Sequence, residues 1–234
     1  MTFFRLSKRK SYFSGLVALA AALVSAPVAY GGVFTDGFES PTLNSFWVTE
    51  GGGTFAITTA SPYAGQSSVH LNSGSSYSGI AHYFGAEQTG DVSVYMQAED
   101  PQAGGGTAIE LYDPDHNWVA VFQRNAPGSF VARVLGDVAD FNFSAPEGWH
   151  QMGLSVGASG ISFLFDGTTV FSDSRVTAFS TVDLQAWAGG AGNWDNFALN
   201  TTAAETPEPS TWVLALTAFS VTLIRARKSG SRSV

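Results

Sequence analysis

The chain of 234 residues contains no cysteine. If it is exported, disulfides cannot staple it, so a packed core must hold it, with or without help from a metal. Positive charge is missing from the middle. Arg5, Lys8, Arg9 and Lys10 stand at the start and Arg225, Arg227, Lys228 and Arg232 at the end, which leaves Arg124, Arg133 and Arg175 against all nineteen acidic residues, a net charge of −16 between the basic ends. So acidic a body repels phosphate backbones, which argues against nucleic acid as a partner and for divalent cations. Between the two ends no stretch repeats its apolar residues at helical spacing. Several reaction centres are absent too: there is no Cys nucleophile and no Gly-x-Ser-x-Gly turn, and His70, His82, His116 and His150 lack zinc-ligand spacing.

What is present begins at the termini. Behind the four N-terminal cations, residues 13–24 are apolar and the small residues Ala26, Ala29 and Gly31 follow. This is the pattern of a secretory signal peptide over 1–31, cleaved after Ala29 or after Gly31. At the far end Pro207-Glu208-Pro209 precedes an apolar run over 211–224 and then the basic cluster. A helix of that run is about 21 Å long, short of the roughly 30 Å hydrocarbon core, and the prolines place its start at about Ser210. The basic cluster would stay cytoplasmic and hold the body outside. Tripeptide, apolar helix and basic cluster in this order resemble the PEP-CTERM sorting signal of Gram-negative bacteria that make exopolysaccharide. The resemblance implies a membrane protease of the exosortase class as a partner, a transient membrane anchor, and delivery to the cell envelope or extracellular matrix. The expected plan is a signal peptide over 1–31, a body over 32–200, a linker with the Pro-Glu-Pro motif over 201–209, and the apolar helix with its basic tail over 210–234.

The body reads as strands. Apolar and polar residues alternate in Val92-Ser93-Val94-Tyr95-Met96, and again over 107–112, 118–122, 130–134, 150–156, 161–165 and 182–188. Turn chemistry stands where alternation stops, as in Asp113-Pro114-Asp115, Ala158-Ser159-Gly160 and Asp166-Gly167. No internal repeat supports a propeller or solenoid, so an all-β sandwich is expected. Trp149-His150-Gln151-Met152, the Ala158-Ser159-Gly160 turn, Ile161-Ser162-Phe163-Leu164-Phe165 and Asp166-Gly167 resemble a hairpin of laminin G and concanavalin A-like domains. Asp36-Gly37-Phe38-Glu39, the segment 61–69, and Trp194-Asp195-Asn196-Phe197-Ala198-Leu199 are similar to the opening, early and closing strands of such domains. The resemblance implies a two-sheet antiparallel jelly-roll sandwich, often glycan-binding, sometimes hydrolytic, often holding calcium. A galactose-binding-like jelly roll is the structural alternative.

Strand parity then nominates a glycan surface. In 182–188 the apolar set is Val182, Leu184, Ala186 and Ala188, which leaves Asp183, Gln185 and Trp187 together on the other face. Tyr95 with Gln97, and Glu110 with Tyr112, stand opposite their apolar neighbours in the same way. Sugars stack C–H faces on aromatic rings and pair hydroxyls with amides and carboxylates, so these seven residues are the expected carbohydrate contacts. A structural or adhesive matrix protein without a defined ligand is the competing class. Asp36 and Glu39 with Asp195 are the candidate calcium ligands, since the resemblance implies first and last strands that share a structural ion. No Glu-x-Asp-x-Glu or Glu-x-Asp-x-x-Glu pattern of the laminarinase-like relatives occurs, and Glu110 and Asp113 fall on opposite faces of one strand. The expectation is therefore binding without enzymatic activity.

Replacing Pro207-Glu208-Pro209 by three alanines should leave the protein in the membrane with its tail uncut. Mass spectrometry of the wild-type protein released by its producer checks the reading: an intact C-terminus on it would defeat the sorting assignment.

Overall fold

The computed structural model describes residues 32–99, 105–126, 128–135 and 139–204. The expected signal peptide, the Pro207-Glu208-Pro209 motif, the apolar helix and the basic tail lie outside these residues. Among the described residues are fourteen strands and no helix, and every strand pairing is antiparallel. In chain order they are β1 (Gly32–Asp36), β2 (Val48–Gly51), β3 (Thr54–Thr58), β4 (Ser68–Asn72), β5 (Tyr77–Ala98), β6 (Gly106–Tyr112) and β7 (Trp118–Ala126). They continue as β8 (Ser129–Val134), β9 (Ala139–Ser144), β10 (His150–Gly157), β11 (Gly160–Phe165), β12 (Thr168–Asp173), β13 (Phe179–Trp187) and β14 (Ala191–Ala203).

The 22-residue β5 belongs to both layers of the sandwich. Its first half pairs with β2 and β13, and its second half with β10 and β14. Layer one therefore runs β2, β5, β13, β6, β7, β8, β9, and layer two runs β12, β11, β10, β5, β14, with β4 and β1 sharing the far side of β14 and β3 beyond β4. The strand changes layer between Tyr83 and Gly90, where its register with β13 shifts. Gly90 sits at φ +128°, a conformation that side chains disfavour, and a Cβ there would collide with the Asn200 carbonyl oxygen.

The inner faces carry the apolar half of each alternation. Ile80, Ile109, Leu111, Phe122, Val182 and Leu184 from layer one meet Val94, Met96, Met152, Leu154, Phe163 and Trp194 from layer two, and all twelve are almost fully buried. Phe122 and Phe163 close the gap between layers, edge to face at 5.6 Å. With the apolar faces turned inward, the two outer faces look to opposite sides of the molecule.

Gly90→Ala should cost about 2–4 kcal/mol, because it sets a methyl group against backbone in a strained conformation. Gly85→Ala, where a Cβ meets nothing within 4 Å, is the matched control and should unfold like wild type in a denaturant titration.

Candidate functional site

On the outer face of layer one, cross-strand register sets residues in rows. One row runs Val48, Ala81, Asp183, Glu110, Val121, Arg133, and the next runs Glu50, Gly79, Gln185, Ala108, Gln123, Val131. Gly79, Ala81 and Ala108 have little or no side chain, so the middle of the face is low. Aromatic groups stand around it: Tyr77 and Trp187 at one end, Tyr83, Tyr112 and Trp118 at the other. The result is a cleft of about 490 Å³ floored by Glu110, Gln123 and Gln185 and walled by Tyr112, Trp118 and Trp187, with Arg133 and Asn125 beyond. A smaller hollow of about 200 Å³, lined by Glu50, Tyr77, Tyr83, His116 and Asp183, adjoins it across Tyr112 and Gln185, which line both. The ring of Trp187 lies across β6 at Gly106, where a Cβ would meet it at 2.5 Å.

Acid chemistry concentrates on the floor. Glu110 and Asp183 are directly opposed on β6 and β13 and are 7% and 1% exposed. Burial pushes both carboxyl groups above their ordinary range, and each neighbour's negative charge adds to the effect on Asp183, first Glu110 and then Glu50. Tyr112 donates its hydroxyl to Glu110 Oε2 at 2.5 Å, a bond that favours the ionised acid but does not outweigh burial. The phenol of Tyr112 is itself pushed up by burial and by these carboxylates. Asp183 Oδ2 accepts from Gln185 Nε2 at 3.2 Å, while Oδ1 has no hydrogen-bond partner.

Five of the seven residues expected to contact glycan, namely Glu110, Tyr112, Asp183, Gln185 and Trp187, thus share one face. Tyr95 and Gln97 do not join them. They lie on the second half of β5, in layer two, so the same outward parity points them to the other side of the molecule. There they dock the β3–β4 loop: Tyr63 stacks on Tyr95 at 3.7 Å, and Ser61 Oγ donates to Gln97 Oε1 at 2.5 Å. Asp183 also departs from the expected solvent-facing position, being covered rather than open. Trp118, Gln123, Asn125 and Arg133 are cleft residues that parity passed over. A bulge sets Tyr112 opposite Trp118 and Leu111 opposite Ala120, which turns Trp118 outward although alternation groups it with the inward Ala120 and Phe122.

The three carboxylates expected to bind calcium are engaged by N–H donors. Asp195 accepts from the backbone N–H groups of Tyr63 at 2.8 Å, Ala64 at 3.0 Å and Asn196 at 2.7 Å. Glu39 accepts from Gln66 and Ser67, and Asp36 from Phe38 and from the Trp47 indole. These donors share the carboxylate oxygens that a cation would take. Among the described residues no group of three or more acidic or histidine side chains is placed to hold a metal ion.

No protein-family model matches the chain, and no curated protein matches it in sequence. The fold is similar to that of the apo Crh5 transglycosylase, at 13% identity and TM-score 0.56 over 76% of this chain and 88% of that one. It is similar to a Bacillus licheniformis β-glucanase at 12% identity and TM-score 0.56, over 75% and 99%. It also resembles a prokaryotic β-1,3-1,4-glucanase (lichenase) from a mouse hindgut metagenome at 15% identity and TM-score 0.50, over 72% and 98%. At these identities the likeness is one of fold alone, an antiparallel jelly-roll sandwich of the concanavalin-like kind. It also corrects the expectation of no enzymatic activity. The missing same-strand carboxylate motif cannot exclude catalysis in an architecture shared with a glucanase, a lichenase and a transglycosylase.

The raised carboxyls fix the direction of a pH effect. Asp183 and Glu110 hold protons in the folded state at pH values where the unfolded chain has released them. Their contribution to stability is therefore complete below the unfolded values of 3.8 and 4.5 and is lost as pH rises through the higher folded values. Asp113 and Asp173 are shifted the other way: their contribution to stability is present above 3.8 and is lost only as pH falls below it. Asp183→Asn should accordingly reduce the fall in melting temperature between pH 5 and pH 8 and raise stability at pH 8 by about 1 kcal/mol, or roughly 2–4 °C. An unchanged pH slope would show that Asp183 is ionised in the native protein.

Proposed function

We propose that this chain is an exported carbohydrate-binding protein whose polysaccharide ligand lies in the cleft on the outer face of layer one. The observation that carries this reading is the composition of one walled depression: Trp118 and Trp187 for sugar C–H faces, and Gln123, Gln185, Asn125, Glu110 and Arg133 for hydroxyls. Support for export, exosortase processing and delivery to the envelope or matrix comes from the residue patterns of the two ends. The solved β-glucanase and lichenase of the same fold make a β-1,3-1,4-glucan the natural first probe, alongside the producer's own exopolysaccharide.

Glycoside cleavage is a second reading, favoured by the opposed carboxyls of Glu110 and Asp183. Hydrolysis needs one protonated and one ionised carboxyl flanking the bond. Only Glu110 lines the larger cleft, so it is the group placed to act as acid.

Trp187→Ala should abolish most retardation of the protein in gels containing barley β-1,3-1,4-glucan or the producer's polysaccharide, with melting temperature lowered little. Trp194→Ala is the contrasting case, since that ring is fully buried in the core and its loss should cost about 3–5 kcal/mol. Mobility of wild type unaffected by either polysaccharide would remove the cleft as their binding site. Reducing ends released from barley glucan by wild type, and lost in Glu110→Gln, would establish the second reading.

A further inference from the structure

Glu110 and Asp183 form an arrangement that glycan contact alone does not explain. They are directly opposed on neighbouring strands, which puts their Cβ atoms about 4.5–5.5 Å apart. Both are buried, and two ionised carboxylates at that separation away from water repel strongly. Gly79 provides the room that lets Asp183 sit there: a Cβ on that glycine would stand 2.8 Å from Asp183 Oδ1. That oxygen has no partner, an expensive state for an ionised carboxylate and a milder one for a neutral acid. Glu110 stands in front, on the floor of the larger cleft, with Oε2 engaged by the Tyr112 hydroxyl.

We propose that Glu110 carries a proton when the cleft binds glycan, opposite an Asp183 that stays neutral behind it, and that binding is therefore linked to proton uptake. The inference rests on the reading that glycan lies in this cleft. Protonated Glu110 donates its O–H to a hydroxyl or ring oxygen of the sugar while still accepting from Tyr112. Ionised, it offers only acceptors and exposes the ligand to a floor of negative charge.

The other titratable groups around the pair are Glu50 on β2, Tyr77 and Tyr83 on β5, Tyr112 on β6, His116 in the β6–β7 turn and Arg133 on β8. The cleft residues of β7 are Trp118, Val121, Gln123 and Asn125, none of which titrates in the range concerned. His116 acts on Glu50, whereas the charges acting on Asp183 are those of Glu110 and Glu50, which add to burial in pressing Asp183 toward its protonated form; burial alone does the same for Glu110. Asp183 touches no ligand in this scheme.

The test is titration calorimetry of the full chain in detergent with barley β-1,3-1,4-glucan at pH 5 and pH 8, each in two buffers of different ionisation enthalpy. Wild type should bind about tenfold or more tightly at pH 5, the ratio expected when ligand binding shifts the proton affinity of the group by about one pKa unit or more. At pH 8 its binding heat should differ between buffers, because protons are taken up. Glu110→Gln, which is permanently neutral and still donates, should bind at pH 8 as wild type does at pH 5 and show no buffer dependence. Asp183→Asn, which replaces a neutral acid by a neutral amide, should keep the pH dependence while glucan is still bound. Equal wild-type affinity at both pH values without buffer-dependent heat would overturn the proton linkage and leave the cleft intact as a binding site. No binding at either pH would overturn the cleft reading for this glucan and the inference with it.

Discussion

The hydrogen-bond ladder of β5 is what the rest of the sandwich depends on. A strand shared by two layers fixes the register of both, so the apolar alternation of β13 and that of β10 are phased against one backbone. The crossing requires the strand to break its pairing with β13 after Tyr83 and to bend where only glycine fits against the Asn200 carbonyl. Past the bend, the same outward parity looks to the opposite side of the molecule. The chain thereby builds two outer faces from one continuous strand, and they have different uses. The first half of β5 supplies Gly79 and Ala81 to a hollow. The second half supplies Tyr95 and Gln97 to a covered surface, where a loop anchored by Asp195 and Glu39 lies against the sheet.

A hollow in an otherwise pleated face needs small side chains in adjacent rows and large ones at the margin. Gly79, Ala81 and Ala108 meet the first condition, and the Tyr112–Trp118 bulge meets the second by turning an extra ring outward. The same lowering of the floor explains the electrostatics. Asp183 comes from a strand flanked on both sides by its neighbours, and with Gly79 beside it the side chain lies down on the sheet, where water reaches little of it. A carboxyl in that position is costly as an anion. Its retention in the middle of the hollow sets it apart from the exposed turn acids such as Asp113, whose Oδ1 accepts the Asp115 and Asn117 N–H groups and whose carboxyl is held low by such bonds.

Much of this architecture is legible in the residues. Alternation over 182–188 correctly separates Val182, Leu184 and Ala186, all buried inward, from Asp183, Gln185 and Trp187 on the other face. Ala188 falls beyond the strand end at φ +50°. Parity has two blind spots, however. It distinguishes inner from outer side chains but not one outer face from the other, so Tyr95 and Gln97 look equivalent to Gln185 and Trp187 until the path of β5 is known. It also fails at bulges, which hid Trp118. The carboxylates of the chain ends show another limit: Asp36, Glu39 and Asp195 do gather at the chain ends and the adjoining loop, but oxygen-bearing residues alone do not tell that N–H groups meet them. Backbone donors from 63–67 and 196, invisible in side-chain chemistry, do so for Glu39 and Asp195.

Paired carboxylates meet the same limit from another side. Acids two or four positions apart along one strand share a face and can be read from sequence, and the body has none in the required pattern. Antiparallel pairing, though, places residues far apart in sequence directly opposite each other at a separation similar to that of same-face neighbours on one strand. Glu110 and Asp183 are such a pair, contributed by β6 and β13. Unlike two acids spaced along an exposed strand, they are unequal in access. Glu110 reaches the large cleft and is held by Tyr112, whereas Asp183 lies behind it with an unpartnered oxygen. The two carboxyls are therefore unequal members of one site: Glu110 is open to the cleft, whereas Asp183 is covered behind it and pressed toward its neutral form.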